Sequence, residues 1–382
     1  MMSDIEQTND FTAGKLPSAP SVKSRVLRVL IVAPAEPLIG GQAVQALRLC
    51  EKLSAEDFLQ IRLQPINPQL PPIFRKLQQP KYLRTFVTSI AYIFALLTQI
   101  PFYDIVHVFS AGDTSFVLAT TPAVLVAKLF RKKTILNYRH GGAEEHFLKW
   151  RRTALPTARL FDRIVVPSGF LVEVFGKFGF SAEAIYNFVN TESYRFRLRN
   201  PLRPIFLSNR NFEPLYNVGC ILRAFRIIQN RFPEARLIVA GDGEERAKLE
   251  KLARELDLKG VEFVGRVPQK EMPALYEQSD IYLNSPNIDN MPGSIIEAFA
   301  AGSVVVSTDV GGIPFVVQDG ETGFLVGTND HRAMAEKAIF LLENPEVART
   351  VTENARREVE KYSWRSVREK WLALYSQISE EK

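Results

Sequence analysis

Short runs rich in Val, Ile and Leu alternate along this chain with longer segments whose apolar residues recur at helical spacing. Arg28-Val29-Leu30-Ile31-Val32-Ala33-Pro34 is the first such run, the kind of continuous apolar strand that a parallel sheet buries on both faces. Gly40-Gly41 follows, then a helical pattern with Val44, Leu47 and Leu53 on one side. Strand patterns recur at residues 104–109, 133–138 and 163–167, with a helix over 118–130 between the first two. The polar, Pro-containing stretch 199–204 breaks the rhythm and reads as a linker. Alternation then resumes, with strands at 205–207, 236–240, 261–264, 281–283 and 304–307 and helices at 218–232 and 244–256. This twofold βα alternation predicts α/β architecture, two Rossmann-like doubly wound domains at 25–198 and 199–362 facing each other across a cleft. A final helix from Ser363 to about Ile378, with Trp364 and Trp371, is expected to pack back on the first domain, so that 363–382 closes the chain.

A chain of 382 residues exceeds what one core usually serves, in agreement with two domains. Its net charge of +6 suits acidic ligands or an anionic membrane surface. No long Lys/Arg run and no aromatic-basic repeat points to nucleic acid. Cys50 and Cys220, each in an apolar helical segment, fit small core residues of a reducing, cytoplasmic compartment. Residues 1–24 lack an apolar centre and read as a disordered tail. The longest apolar stretch, 86–100, is shorter than the ~20 residues a membrane span needs. With Arg75, Lys76, Lys81 and Arg84 before it, it reads as a domain helix or as an element lying on the membrane surface.

The densest chemistry lies in Asp289-Asn290-Met291-Pro292-Gly293-Ser294-Ile295-Ile296-Glu297. Pro and Gly interrupt regular structure, and the Ala-rich run after them favours a helix. The free N–H groups of such a helix start attract an anion. The carboxylates on either side accept hydrogen bonds from hydroxyls. Phosphate between hydroxyl-rich groups describes a nucleotide-sugar, although acids in a first turn also stabilise ordinary helices. Gly40-Gly41, His140-Gly141-Gly142 and Arg210 each follow a predicted strand, where a two-domain clamp gathers its ligand groups.

On these motifs residues 27 to 378 resemble the retaining GT-B glycosyltransferases of family 4, the group 1 glycosyltransferases. Asp289 and Glu297, eight positions apart, match the family's paired acids. Segments 310–314 and 319–326 match those that usually follow, 238–243 resembles its strand-to-helix turn, and Gly265-Arg266-Val267-Pro268 its base-side loop. The resemblance implies a GT-B fold and an enzyme that moves a sugar from a nucleoside-diphosphate-sugar to a carbohydrate or lipid-linked acceptor hydroxyl, with retention. Catalytic roles would fall to His140, Arg210 and Asp289. Donor binding would fall to Gly40, Gly41, Arg210, Val267, Asp289, Met291, Pro292, Gly293, Ser294 and Glu297, with Glu297 on the ribose.

Two departures stand out. Asp289 replaces the usual Glu, and Tyr216-Asn217 lie about where the family carries a phosphate-binding Lys, unless Arg139, Arg266 or another basic residue serves instead. No Asp-x-Asp occurs, so neither a metal nor another cofactor is expected. A cytoplasmic enzyme, peripheral at the inner face of the membrane, is the expected setting. A nucleotide-sugar-binding protein without transfer, and a GT-B epimerase or hydrolase, remain open from sequence alone.

Overall fold

The computed structural model describes residues 26–35, 41–70 and 81–381. The 1–24 tail, Gly40, Arg75 and Lys76 lie outside them. The first sheet contains β1 (Leu27–Ala33), β2 (Leu59–Pro65), β3 (Ile105–Ser110), β4 (Lys133–Tyr138), β5 (Arg163–Val166) and the short β6 (Glu183–Ala184). All pair in parallel, in the order β2-β1-β3-β4-β5-β6. The second sheet contains β7 (Ile205–Ser208), β8 (Arg236–Ala240), β9 (Val261–Gly265), β10 (Ile281–Asn284), β11 (Val304–Thr308) and β12 (Phe324–Val326). These are also parallel, in the order β12-β11-β10-β7-β8-β9.

The expected doubly wound α/β architecture is therefore present twice, and most strands lie within a residue or two of where the apolar runs put them. The sequence pattern did not reveal β2. Its Leu-Gln-Ile-Arg-Leu-Gln alternation belongs to an edge strand with one wet face. Strand order reverses between β1 and β3 in the first sheet and between β7 and β10 in the second. Loops on the carboxyl side of such a reversal splay apart and leave a crevice.

Helices cover both faces of the first sheet. Tyr92, Leu96 and Ile100 pack with Val106, Val108 and Leu136 in one core layer. The opposite layer joins Val29, Ile31 and Ile105 to Leu49 of helix Gly41–Leu53 and to Trp371, Leu374 and Tyr375 of the last helix, Trp364–Glu380. Ser363 caps that helix by accepting from the Ser366 N–H at 3.3 Å. The chain's final segment thus packs against the sheet that its first strand begins.

The apolar stretch at 86–100 is longer in the fold than in the sequence pattern. Helix Lys81–Gln99 continues into a tight turn at Ile100–Phe102. Its Thr residues do not end it: the Thr98 hydroxyl donates back to the Phe94 carbonyl at 3.0 Å and so stays satisfied within an apolar surface. By length and composition, Leu83–Phe102 could cross a membrane, and 17% of its apolar window is buried within the protein.

The 199–204 stretch is tethered by charge. Arg199 and Arg203 both donate to the buried carboxylate of Asp280 at 3.0 and 2.7 Å, and Arg197 reaches it at 3.2 Å. Such a buried acid needs cationic partners. Three arginines fasten the crossing to the second domain.

Candidate functional site

Arg210 leaves the end of β7, and the segment from Ser285 to Gly293 leaves the end of β10, so both flank the crevice of the second sheet. The Arg210 guanidinium donates through Nη2 to Asp289 Oδ2 at 2.5 Å and through Nη1 to Ser294 Oγ at 3.3 Å. It also stacks on the Tyr216 ring, with Cζ 4.1 Å from the centroid. Burial works against its charge, but Asp289, Tyr216 and Tyr282 together hold the pKa above the ordinary arginine value. Its buried Nε has no hydrogen-bond partner. Tyr216, near the family's Lys position, therefore contributes a ring beneath the arginine.

Ser294 lies at the start of helix Gly293–Ala301, and no side chain caps that end. Pro292 sits in extended geometry just before it, which turns the chain into the helix and leaves the first N–H groups pointing outward. Glu297 is one turn further on and buried. It accepts from the Gln269 amide at 2.9 Å, with the Tyr276 hydroxyl 3.4 Å from its other oxygen. Arg48, from helix Gly41–Leu53 of the first domain, approaches to 3.7 Å. Burial raises the Glu297 pKa, and Arg48, Gln269, Tyr194 and Tyr276 only partly offset it.

The loop after β4 meets this motif from the other side. A methyl group on Gly141 would lie 3.1 Å from Ile288 and 3.4 Å from the Asp289 backbone. The His140 ring fills the space beside Gly112, where a Cβ would come within 2.4 Å of it. Only glycine at 112 leaves room for that ring. Burial lowers the His140 pKa, against the pull of Asp113 and Glu145, so the imidazole is neutral near pH 7.

Met291 and Pro292 are buried, and Met291 also ties the two domains together. Its carbonyl accepts from the Asn187 side-chain amide at 3.2 Å, and its sulfur from the Asn187 N–H at 3.3 Å. Behind Asn187 runs a chain of polar contacts. Arg139 donates to the side-chain carbonyls of Asn187 and of Asn137, the latter at 2.8 Å. The Asn137 amide reaches His107 Nε2 at 2.9 Å, and His107 Nδ1 lies 2.7 Å from the Tyr375 hydroxyl. Burial drives the His107 pKa down to about 3, so it carries one proton, donated from Nδ1 to Tyr375. Burial also pulls Arg139 down to about 9. Arg139 thus serves this buried relay, and Arg266 is exposed in the loop after β9.

Gly311-Gly312 press on the Asp289–Asn290 backbone from a third side. A Cβ on Gly312 would lie 1.6 Å from the Asn290 carbonyl oxygen, and its N–H donates to the Asp289 carbonyl at 3.1 Å. Gly312→Ala is expected to displace the Asp289 loop and lower both the melting temperature and turnover. Overlap this close with backbone should cost at least the ~1–3 kcal/mol of an overpacked core. A variant with wild-type melting and turnover would contradict the packing.

The structure thus brings Arg210, Asp289, Gly293, Ser294 and Glu297 together and sets His140-Gly141 beside them. Gly41 opens the helix that carries Arg48, in open space. Val267 is half-buried in the loop after β9, two residues before Gln269. Arg48 and Gln269 escaped sequence reasoning. Arg48 is one polar residue among several on its helix, and only domain docking brings it to Glu297. Gln269 adjoins the Val267-Pro268 motif, which was the available signal. Among the described residues, no group of three His, Cys, Asp or Glu side chains could hold a metal ion.

Residues 190–358 match the family model described as Glycosyl transferases group 1. That stretch, under half of the chain, is similar to a group 1 glycosyltransferase domain. The chain is 32% identical over 188 residues to a sulfoquinovosyl transferase of Arabidopsis thaliana, a match covering 47% of this chain and 36% of that protein. It is 28% identical over 180 residues to a phosphatidyl-myo-inositol mannosyltransferase of Mycolicibacterium smegmatis, covering 46% of each. The chain thus spans less than half the length of these curated relatives. In solved structures the likeness extends through both domains. Anabaena HepE in complex with UDP-glucose has a TM-score of 0.74 at 16% identity, over 92% of this chain and 100% of that one. Sucrose-phosphate synthase of Thermosynechococcus elongatus has a TM-score of 0.74 at 19% identity, over 92% and 99%. The two-sheet arrangement is therefore the GT-B glycosyltransferase fold, and the stretch that matches the group 1 model lies in its second half.

Proposed function

We propose that this protein is a retaining glycosyltransferase that moves a sugar from a nucleoside-diphosphate-sugar to an acceptor hydroxyl in polysaccharide, glycolipid or other glycoconjugate synthesis. The observation that carries this reading is Arg210. It is buried at the uncapped start of helix Gly293–Ala301, held to Asp289 and Ser294 through its two terminal nitrogens and with Nε unpartnered. A guanidinium and free helix N–H groups suit a diphosphate. The structural relative crystallised with UDP-glucose supports that donor class.

In this reading Glu297 accepts from the ribose hydroxyls, and Val267 and its loop flank the base. Gly41, at the open start of the helix that carries Arg48, lets the diphosphate approach the backbone. Met291 and Pro292 hold the turn whose Gly293 and Ser294 N–H groups meet the donor. Asp289 and His140 orient the sugar. The acceptor oxygen attacks the anomeric carbon on the face the diphosphate is leaving. The carbon–oxygen bond to phosphate breaks, its electron pair departs with the diphosphate, and a phosphate oxygen takes the acceptor proton. Arg210 and the helix N-terminus stabilise the charge on the leaving group. No step calls on a metal ion. The acceptor is a carbohydrate or lipid-linked hydroxyl on the first-domain side, and the enzyme works in the cytoplasm at the inner face of the membrane.

The test is a melting screen with UDP-, GDP-, ADP- and TDP-sugars, followed by product analysis of the anomeric configuration. One donor should raise stability by about 2.7 kcal/mol at a hundred times its dissociation constant, and its sugar should appear on the acceptor with configuration kept. No shift with any of the four, or an inverted product, would reject the reading.

A further inference from the structure

Helix Lys81–Gln99 has two faces with opposite fates. Tyr92, Leu96 and Ile100 enter the core, and the Tyr92 hydroxyl donates to the Ala119 carbonyl at 2.9 Å. The outward face carries Phe86, Ile90 and Phe94, which remain 66%, 54% and 68% exposed. Helix Thr121–Leu129 lies alongside and leaves Leu125 and Leu129 53% and 69% exposed. An unpartnered apolar face spread over two neighbouring helices is unusual for a surface in contact with water alone.

Charge identifies what covers it. Residues 81–103 and 116–133 contain no Asp or Glu, but they contain Lys81, Arg84, Lys128, Arg131, Lys132 and Lys133. Lys128 pairs with Asp162, whereas Arg84 and Arg131 are exposed. Lys132 Nζ donates to the Pro101 carbonyl at 2.8 Å, which places a cation beside the exposed Phe102. We propose that this face docks on an anionic lipid surface, with the Phe and Leu side chains entering the headgroup boundary and the basic residues meeting lipid phosphates.

A second copy of the chain is a poorer occupant, because a twofold contact would press two surfaces with an excess of cations together. A spanning helix is a poorer reading as well, since withdrawing Tyr92, Leu96 and Ile100 would open the first-domain core. Helix Lys81–Gln99 also begins on the side of the sheet where the strands' carboxyl ends form the crevice. Docking along it sets the mouth of the cleft near the bilayer. That orientation deepens the lipid-linked acceptor reading and rests on it; the docking itself does not.

Flotation of the full chain tests this, with vesicles of phosphatidylcholine alone and with about a third of the lipid replaced by phosphatidylglycerol. Wild type should float with the anionic vesicles only and be released as salt rises, because screening weakens lipid–cation attraction. Phe86→Ser/Phe94→Ser/Leu129→Ser should cut recovery by about tenfold or more, with melting and donor-induced stabilisation unchanged. Should that variant fail to fold, Arg84→Glu/Arg131→Glu leaves the apolar side chains in place and should lower recovery on anionic vesicles. Wild type failing to float, floating equally with both vesicles, or floating undiminished in a folded variant would overturn the proposal. So would a dimer in sedimentation that the triple serine variant dissociates. Flotation without any donor-induced stabilisation would instead reject the nucleotide-sugar reading and leave the docking intact.

Discussion

Arg210→Ala is expected to lower kcat by roughly a hundred- to a thousand-fold, about 2.7–4 kcal/mol of transition-state stabilisation. Arg210 is the cation seated at the uncapped helix start, where the proposed diphosphate departs. Charge grows on the leaving oxygens as the sugar–phosphate bond opens, so a cation there acts mainly in the transition state. Its guanidinium is already held by Asp289 at 2.5 Å and by the Tyr216 ring. Little reorganisation is therefore needed when donor binds. Arg210→Lys restores the charge without the fork and should recover only part of the rate. Single-turnover transfer measured against donor-induced stabilisation separates the two roles. Unchanged kcat in a folded Arg210→Ala protein would remove Arg210 from the reaction.

Glu297→Ala is expected to leave no measurable donor turnover while the fold persists. Two hydrogen bonds from ribose hydroxyls to a charged acceptor are worth about 1.5–3 kcal/mol each. Together they correspond to roughly a hundred- to ten-thousand-fold in donor affinity. The pH dependence follows from the same carboxylate. Burial raises its pKa in the free protein, and the donor requires the ionised form. Protonation competes with binding, so donor affinity falls as pH is lowered. The fall begins above the ordinary glutamate value of about 4.3. Glu297→Gln should flatten that limb. Titrating donor affinity across pH for both proteins checks the sign, and a wild-type affinity that rises on acidification would refute the assignment of Glu297 to the ribose.

Legibility along this chain followed local physics. Buried parallel strands such as β8 and β11 are built on short apolar runs, and their bounds were readable almost to the residue. β2 was not, because an edge strand keeps polar residues on one face. The Asp289–Glu297 motif could be read because a Pro-Gly turn before an Ala-rich run is itself a local signal. Arg48 could not, since nothing local distinguishes it from Arg62 or Lys52. The relay from Tyr375 through His107, Asn137, Arg139 and Asn187 to Met291 was equally hidden. It joins residues more than 260 positions apart through side chains that only packing aligns.

The sequence by itself determined two α/β halves, the break between them, and the residue types that gather at strand ends. Periodicity, turn chemistry and helix propensity are properties of neighbouring residues, and they suffice for that much. Only the tertiary structure decided that Arg210 is paired with Asp289, that Glu297 is buried under Arg48 and Gln269, and that Gly312 locks the Asp289 loop. It also decided that one side of the apolar helix is core and the other a bare, cationic surface. Those outcomes depend on which distant surfaces meet, since burial and charge pairing arise only where the chain closes on itself.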